Sequence, residues 1–441
     1  MNDLRSLGMA IRSGELSPTQ HVRDVLDRLA ADPYNLVVTL DAERALAQAA
    51  ALTEELAQGR WRGPLHGVAL GVKDLFDVAG LPTRCGSALF ADAAPAVEDA
   101  AAVARLRAAG AVVVAKLHTQ EFAHGPTGDA SASGPAHNPH DPTRITGGSS
   151  SGSAGAVAAG YVPLALGTDT GCSVRTPAAH CGVVGLKPAY GHVPVDGVFP
   201  LAESLDHVGL LTADVHGAAV AWDVLDRGAE GTGGGIQAPG VQGLTVCVPS
   251  DEHWETADPV IDEAWDAAVR ALERAGAKIV DMRLPQCMEL ALSYPEIVGA
   301  EAYTTHRHFL AESPEAYQPI VRERLLAVAD RPAHHYVAAQ RGRRLLAREL
   351  SAALAGVDVL LTPTTRLRAT PIGAAEVDGV PVRPSLLELT SPFNMTGWPA
   401  VSVPMPPSDG GLPVGVQVVG VGLEERGILR VAAAIEQTTG A

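Results

Sequence analysis

The apolar residues of this chain follow two patterns that alternate along its length. Short continuous apolar runs such as Val112–Ala115 and Val162–Leu166 are typical of buried strands. Between such runs lie stretches with helical apolar spacing, such as Asp99–Ala109 and Val260–Ala275, which predict amphipathic helices. Strands that alternate with helices in this way predict an α/β fold.

The clearest helix start lies near the beginning of the chain. Ser17 precedes Pro18, which combines a capping serine with a proline at the first helical position. Apolar residues follow at helical spacing, namely Val22, Val25, Leu26 and Leu29. The sequence therefore predicts a helix that begins at Pro18.

Two glycine-rich segments with several hydroxyl groups, Gly147–Ser153 and Gly167–Arg175, follow one another closely. Glycines allow positive φ angles and close approach, so that successive backbone N–H groups can converge on one anionic oxygen. An oxyanion site, a phosphate loop and a structural turn are all open at this point. The spacing of Gly147 and Gly152 matches a P-loop, but Ser153 stands where a P-loop has lysine.

A third segment, Gly67–Asp74, predicts a short buried strand that ends in a lysine. A lysine at a strand end is ordinarily a solvated charge. Lys73, however, lies between apolar residues and the glycine-bearing turn Asp77–Gly80. A lysine in a dry site can lose its proton near neutral pH and act as a base.

Taken together, Lys73, Ser149 and Ser173 with their glycines resemble the Ser-cisSer-Lys triad of the amidase signature family. Further segments also resemble the family, namely Pro64–Gly67, Asn138–Pro139, Gly182–Pro188, Ser204–Asp206, Leu360–Thr365, Pro392–Ala400 and Gly411–Gln417. The resemblance covers nearly the whole chain and is weakest from about residue 228 to residue 356. It implies a single large α/β domain with a central mixed β-sheet covered by helices on both faces.

The resemblance also implies the domain organisation and the activity. We expect one amidase domain over residues 1–441, with an N-terminal helical segment (1–60), a catalytic core (61–215) and the remaining sheet and substrate-funnel helices (216–441). The short candidate linkers Gly228–Gly243 and Pro406–Pro413 are expected to be surface loops. The implied function is an amidohydrolase acting on a non-peptide carboxylic amide through a serine acyl-enzyme. The alternatives are an acyl- or amidotransferase, the amidase subunit of a larger amidotransferase complex, and a scaffold without activity.

Carried over to this sequence, the resemblance makes Ser173 the nucleophile, Ser149 the bridging serine and Lys73 the base. It places a cis peptide bond at Gly148–Ser149. Backbone N–H groups would form the oxyanion hole, namely those of Thr170, Gly171, Cys172 and Ser173. A serine needs a base to remove its proton, and a lysine can serve only if burial lowers its pKa to roughly 7 to 8.

Several neighbouring residues need a separate interpretation. Asp169 and Arg175 are expected to be buried structural partners. Cys172 departs from the glycine often found before the nucleophile, so either its φ is positive and strained or the turn has another conformation. Cys172 is also the alternative nucleophile. The other cysteines are expected to be buried reduced thiols, namely Cys85, Cys181, Cys247 and Cys287.

The acyl group of the substrate is not identified by the sequence, because the stretch Glu289–Arg344, which resembles the family's funnel region by position, is idiosyncratic. Glutaminase subunits of the family bind glutamine through an arginine and an aspartate. The arginine position matches Arg343, but Leu387 occupies the aspartate position, which argues against glutamine. Arg343 is then expected on the surface of a helix spanning Tyr336–Leu354.

Charge and composition narrow the partners. The net charge of -17, from 33 basic and 50 acidic residues, disfavours nucleic acid and anionic membranes. Residues 1–10 lack the pattern of a signal peptide, and no apolar run reaches the roughly 18 residues of a membrane span. Metal-binding motifs are absent from the sequence. We therefore expect a cytoplasmic enzyme that acts on a small-molecule amide and needs no cofactor or metal. A homodimer is compatible with the sequence.

Overall fold

The computed structural model of the protein describes residues 3–227 and 240–439. Its strands within those ranges are β1 (Val37–Leu40), β2 (Ala69–Lys73), β3 (Val112–Leu117), β4 (His137–Asn138), β5 (Asp141–Ile145), β6 (Leu164–Asp169), β7 (Val184–Lys187), β8 (His207–Thr212), β9 (Thr245–Pro249), β10 (Lys278–Met282), β11 (Val359–Pro363), β12 (Glu376–Val377), β13 (Val380–Pro381), β14 (Ala400–Met405) and β15 (Val414–Gly420).

The α-helices within the same ranges are α1 (Leu4–Ser13), α2 (Pro18–Ala30), α3 (Ala42–Ala57), α4 (Ala101–Ala108), α5 (Ser151–Ala158), α6 (Arg175–Cys181), α7 (Val215–Arg227), α8 (Pro259–Arg274), α9 (Pro285–Glu312), α10 (Pro319–Leu326), α11 (Ala333–Ala353), α12 (Val382–Ser385), α13 (Pro392–Met395) and α14 (Glu425–Thr439). None of these described helices is long and apolar enough to span a bilayer.

Eleven of the described strands form one sheet in the order β1-β3-β2-β6-β8-β7-β14-β15-β11-β9-β10. Strand β2 runs parallel to β3 and β6, and β9 runs parallel to β10 and β11. The other neighbouring pairs are antiparallel. The sheet is therefore mixed, which confirms the predicted fold class.

Alternate residues of the strands point to opposite faces of the sheet, and helices cover both faces. Leu70 and Val72 of β2 belong to an apolar cluster with residues of α1, α4, α7, α8 and α14. Their neighbour Ala69 belongs to a second cluster with residues of α2, α3, α5 and α6. At the other end of the sheet, Leu360 of β11 packs in a third cluster with residues of α9, α10 and α11.

The local sequence patterns match the observed elements closely. Helix α2 begins at Pro18, and the side chain of Ser17 accepts a hydrogen bond from the backbone N–H of Gln20. The predicted Asp99–Ala109 and Val260–Ala275 helices correspond to α4 and α8. The 406–413 segment joins the antiparallel strands β14 and β15 as a loop. Most of the other predicted linker, Gly228–Gly243, lies outside the described residues.

The sheet topology brings the predicted site residues together at the C-terminal ends of two neighbouring strands. Because β2 and β6 are parallel neighbours, their C-terminal ends lie side by side. Strand β2 ends at Lys73, and β6 ends at Asp169, immediately before the segment that contains Ser173. The 146–150 loop that precedes α5 contains Ser149. Three segments that are separate in sequence therefore meet beyond the C-terminal ends of β2 and β6.

Candidate active site

Lys73 is fully buried at the end of β2. Its Nζ donates hydrogen bonds to Ser149 Oγ at 2.7 Å, to Thr168 Oγ1 at 2.7 Å and to Ser150 Oγ at 3.0 Å. Burial, partly offset by the negative charge of Asp169, lowers the pKa of Lys73 to about 7. A large fraction of this amine is therefore neutral near pH 7, and a neutral amine can accept a proton.

The loop that contains Ser149 has a tightly constrained backbone. The Gly148–Ser149 peptide bond is cis, as the sequence resemblance predicts. A Cβ atom at position 148 would lie 2.7 Å from the backbone nitrogen of Gly128, so a side chain cannot be accommodated there without movement. This loop places the hydroxyls of both Ser149 and Ser150 on Lys73. The family resemblance singles out Ser149, whereas the contacts of Ser150 and Thr168 with Lys73 were not predicted from the sequence.

Ser173 lies in the loop that joins β6 to α6, beside the Ser149 loop. The backbone N–H of Ser150 donates to the carbonyl of Ser173 at 3.2 Å. Among the described residues, however, Ser149 Oγ and Ser173 Oγ do not hydrogen-bond to each other. The structure thus brings Lys73 and Ser149 into direct contact and places Ser173 on the adjacent loop.

The Ser173 loop has a run of unused backbone donors. Four consecutive buried residues donate no backbone hydrogen bond to any other residue in the described ranges, namely Thr170, Gly171, Cys172 and Ser173. Buried backbone N–H groups are almost always paired in folded proteins. These four donors are the ones that the resemblance assigns to an oxyanion hole, and their geometry leaves them free for a ligand.

Cys172 lies in the same loop but has the properties of an unreactive thiol. It is 1% exposed, and burial together with the charge of Asp169 raises its pKa to about 12. A thiol that stays protonated is a poor nucleophile. Cys172 is not among the described non-glycine residues with positive φ, so its turn has a conformation open to L-residues. The other four cysteines are buried and unpaired, as predicted.

A buried ion pair supports the loop from below. Arg175 Nη2 lies 2.8 Å from Asp169 Oδ1, and both side chains are 0% exposed. Burial alone would raise the pKa of Asp169, but Arg175 holds that pKa below its ordinary value. Asn394 donates to Asp169 and accepts from Arg175, whose Nη1 also donates to Gln417 Oε1 at 2.7 Å. The prediction that Asp169 and Arg175 are buried structural partners is confirmed.

Ser173 faces a small pocket of about 20 Å³. The pocket walls include His124, Tyr294, Arg383 and Leu387. Tyr294, from α9, packs closely on the Ser173 loop, because a Cβ atom at position 171 would lie 2.5 Å from its hydroxyl oxygen. Neither Tyr294 nor Arg383 belongs to a motif that the sequence analysis recognised. Tyr294 lies in the stretch Glu289–Arg344, which the resemblance places at the substrate funnel, whereas Arg383 lies in a segment with no pattern that would assign it to this site.

The residues compared with glutamine-binding positions lie in different surroundings. Leu387 lines the Ser173 pocket. Arg343 is half-buried on α11, and its Nε donates to the carbonyl of Met395 at 2.7 Å. Arg343 thus lies on the predicted helix, but it is only partly exposed because its guanidinium attaches α11 to α13. Across the described ranges, no group of three or more His, Cys, Asp or Glu side chains could hold a metal ion.

Comparison with known proteins places these features in a family. The sequence matches the model of the Amidase family over residues 20–429. It is 36% identical over 466 residues to a glutamyl-tRNA(Gln) amidotransferase subunit of Geobacter metallireducens, with 97% of this chain and 95% of that protein aligned. It is also 36% identical over 445 residues to the AtzE subunit of the 1-carboxybiuret hydrolase of a Pseudomonas species, covering 97% of this chain and 96% of that protein.

The fold is shared with solved structures as well. A crystal structure of an amidase aligns with a TM-score of 0.91 and 39% sequence identity. The alignment covers 99% of this chain and 100% of that chain. The similarity therefore extends over the whole sheet and over the helices on both of its faces.

Proposed function

The chain belongs to the amidase family, and we propose that it is an amidohydrolase that cleaves a carboxylic amide through an acyl-enzyme on Ser173. The observation that carries this proposal is the buried amine of Lys73, whose pKa is lowered to about 7 and whose Nζ contacts Ser149. A base of this kind is needed because a serine hydroxyl is a weak nucleophile. The unused N–H groups around Ser173 supply the second requirement, a site for negative charge.

In the proposed acylation, Ser173 Oγ attacks the carbonyl carbon of the amide. Its proton passes through Ser149 Oγ to the neutral Nζ of Lys73 while the new C–O bond forms. The carbonyl oxygen becomes an oxyanion, which accepts hydrogen bonds from the backbone N–H groups of the 170–173 loop. The Lys73 ammonium then returns the proton by way of Ser149 to the amide nitrogen. The C–N bond breaks, and ammonia or an amine leaves.

The remaining ester on Ser173 is hydrolysed by the same groups. Water takes the place of the leaving amine and gives a proton through Ser149 to Lys73 as it attacks the ester carbonyl. The proton then returns to Ser173 Oγ as the C–O bond to the enzyme breaks. The products are a carboxylic acid and the free enzyme, and no proton or electron is left unaccounted for.

We also propose that the amide is a non-peptide amide. The free space beside Ser173 is only about 20 Å³, so its walls must move for any substrate, and they must move least for a small amide and most for a bulky peptide side chain. A panel of primary carboxylic amides and short peptides tests this point. Turnover of the peptides at rates equal to those of the amides would contradict it.

A second candidate is favoured by the similarity to an amidotransferase subunit, which acts within a larger enzyme. In acyl transfer, an amine replaces water as the group that attacks the ester on Ser173, the C–O bond to Ser173 breaks, and the product is a new amide; without that amine the isolated chain hydrolyses amides poorly. Product analysis with and without added hydroxylamine separates the two functions. Hydrolysis by the purified chain alone, with only partial diversion to a hydroxamate, supports the amidohydrolase.

The role of Ser173 is tested by covalent labelling. A serine-directed fluorophosphonate should label the wild type at Ser173, and Ser173→Ala should lose both the label and amide turnover. Ser351→Ala, at an exposed position on α11, serves as the matched control and should retain both. Labelling that survives in Ser173→Ala would contradict the proposed nucleophile.

A further inference from the structure

The wall of the Ser173 pocket contains an arginine without a partner. Arg383, on α12, lines this pocket together with Ser173. Within the described ranges its guanidinium makes no hydrogen bond or ion pair, and its buried Nε has no partner. By contrast, Arg175 and Arg343, which lie near the same loops, are both hydrogen-bonded. Because a partly buried cation without a partner is unfavourable, the arrangement is suited to an anion supplied from outside the chain.

The surroundings of Arg383 add positive rather than negative charge. The walls formed by the described residues contain no acidic side chain. Arg324 lies behind one wall, where its Nη1 donates to the carbonyl of His124 at 2.8 Å. Two carboxylates, Asp129 and Glu323, act on Arg324 but are not part of the pocket lining. The pocket next to the nucleophile is therefore electropositive.

His124 is a second polar group in the pocket without a partner. Its Nδ1 is buried and has no hydrogen-bond partner among the described residues. Burial, together with the charges of Arg324 and Arg383, lowers the pKa of His124 well below its ordinary value, so the ring is neutral. In the tautomer with a proton on Nδ1, this atom can donate to an anion without adding charge. Two unpartnered groups thus face one small space.

We propose that the amide cleaved at Ser173 carries a carboxylate and that Arg383 binds this carboxylate. The inference rests on the proposed amidase function, because it assigns the substrate class of the same site. A guanidinium presents parallel N–H groups that match the two oxygens of a carboxylate, which makes arginine suitable for this role. The small volume and the apolar neighbours Val298 and Leu387 favour a short aliphatic spacer between the carboxylate and the amide.

The substrate preference is tested with matched compounds. The monoamides of malonic, succinic and glutaric acid carry a carboxylate, and the corresponding diamides are neutral compounds of nearly the same shape. The wild type should favour at least one monoamide over its diamide by tenfold or more in kcat/KM. Equal turnover of each pair, or a preference for the diamides, would overturn the proposal.

Variants of Arg383 identify the group responsible. Arg383→Met should remove at least tenfold of the preference, by lowering kcat/KM for the monoamide and leaving the diamide nearly unchanged. Arg383→Lys keeps the charge and should retain part of the preference. Arg348→Met, at an exposed position on α11, is the matched control and should behave like the wild type. An undiminished preference in Arg383→Met would contradict the assignment.

A binding measurement separates this proposal from the proposed activity. In Ser173→Ala, millimolar malonate, succinate or glutarate should raise the melting temperature, because a ligand that binds only the folded state stabilises it. The diamides, and all compounds tested on Ser173→Ala/Arg383→Met, should give a smaller shift. Dicarboxylate binding without amide turnover by the wild type would refute the amidase function alone. Amide turnover without any charge-dependent binding or preference would refute the carboxylate site alone.

Discussion

At the scale of single residues, the proposed chemistry depends on the surroundings of one amine. Lys73 Nζ donates hydrogen bonds to three hydroxyl groups. The largest effect on its pKa is the loss of water on burial. Hydroxyls orient the amine without the strong stabilisation of the ammonium form that a contacting carboxylate would give. The pKa of Lys73 is consequently lowered to about 7, within the range where a base works best near neutral pH.

The pH profile follows from this pKa. Below about pH 7 the amine is mostly protonated and cannot accept the serine proton, so kcat/KM should fall by about tenfold for each pH unit lost. Above that value the amine is neutral, and the rate should level off. Initial rates measured from pH 5.5 to pH 9 on an uncharged amide check this. A flat profile across that range would contradict a titrating base at this position.

Substitution of Lys73 gives a second prediction for the same amine. Lys73→Ala should lower kcat by about 10³-fold or more, because the members of a nucleophile–base unit act together. Lys73→Arg should not recover activity, because a guanidinium remains protonated. Lys278→Ala, at an exposed position in β10, is the control and should leave kcat unchanged. Nearly normal turnover by either Lys73 variant would show that another group takes the proton.

The thiol of Cys172, next to Ser173, should not be needed for activity. Cys172→Ala keeps the backbone N–H at that position, and the pKa of about 12 keeps the wild-type thiol protonated. Turnover of Cys172→Ala should therefore stay within about tenfold of the wild type, the range allowed for a small packing defect. Steady-state rates and fluorophosphonate labelling of the variant measure this. Loss of labelling in Cys172→Ala, with Ser173 still present, would contradict this prediction and support Cys172 as the nucleophile.

At the scale of the elements, the Ser173 loop is held by a buried ion pair at the start of α6. Arg175→Met would leave Asp169 buried without its cation, and such changes destabilise proteins by about 3 to 5 kcal/mol. Urea unfolding of the variant measures the loss. Arg331→Met, which removes an exposed pair with Glu296, is the control and should cost about 1 kcal/mol or less. Similar midpoints for the two variants would contradict a structural role for the buried pair.

The elements also show why part of the site could be predicted from sequence. Lys73 is the last residue of a buried strand, Ser173 lies shortly after another, and short motifs mark both positions, so the sequence alone indicated both. The sequence did not show that Ser150 and Thr168 would share the lysine, because three adjacent serines look alike until the loop has a conformation. Arg383 carries no local signal either, since only the folded position of α12 brings it to the pocket.

At the scale of the whole molecule, the site depends on contacts between distant parts of the chain. Strand β7 pairs with β14, which begins more than 200 residues later in the sequence. The guanidinium of Arg175 reaches the carbonyl of Thr390 and the side chain of Gln417. No spacing rule predicts partners at such separations, because the pairing is decided by the order of strands in the sheet. The sequence therefore predicted the type of fold but not this network.

These contacts predict the behaviour of a fragment. A chain that ends at residue 215 would lack β14, so that β7, still paired with β8, would become an exposed edge strand. Arg175 would also lose Gln417 and Thr390, and exposed apolar edges promote aggregation. Residues 1–215 expressed alone should form aggregates on size-exclusion chromatography and should not react with a fluorophosphonate. The full chain, prepared in the same way, is the control. A monomeric, folded fragment that labels at Ser173 would show instead that the 61–215 core is an independent domain, and that the C-terminal strands serve substrate binding rather than the integrity of the site.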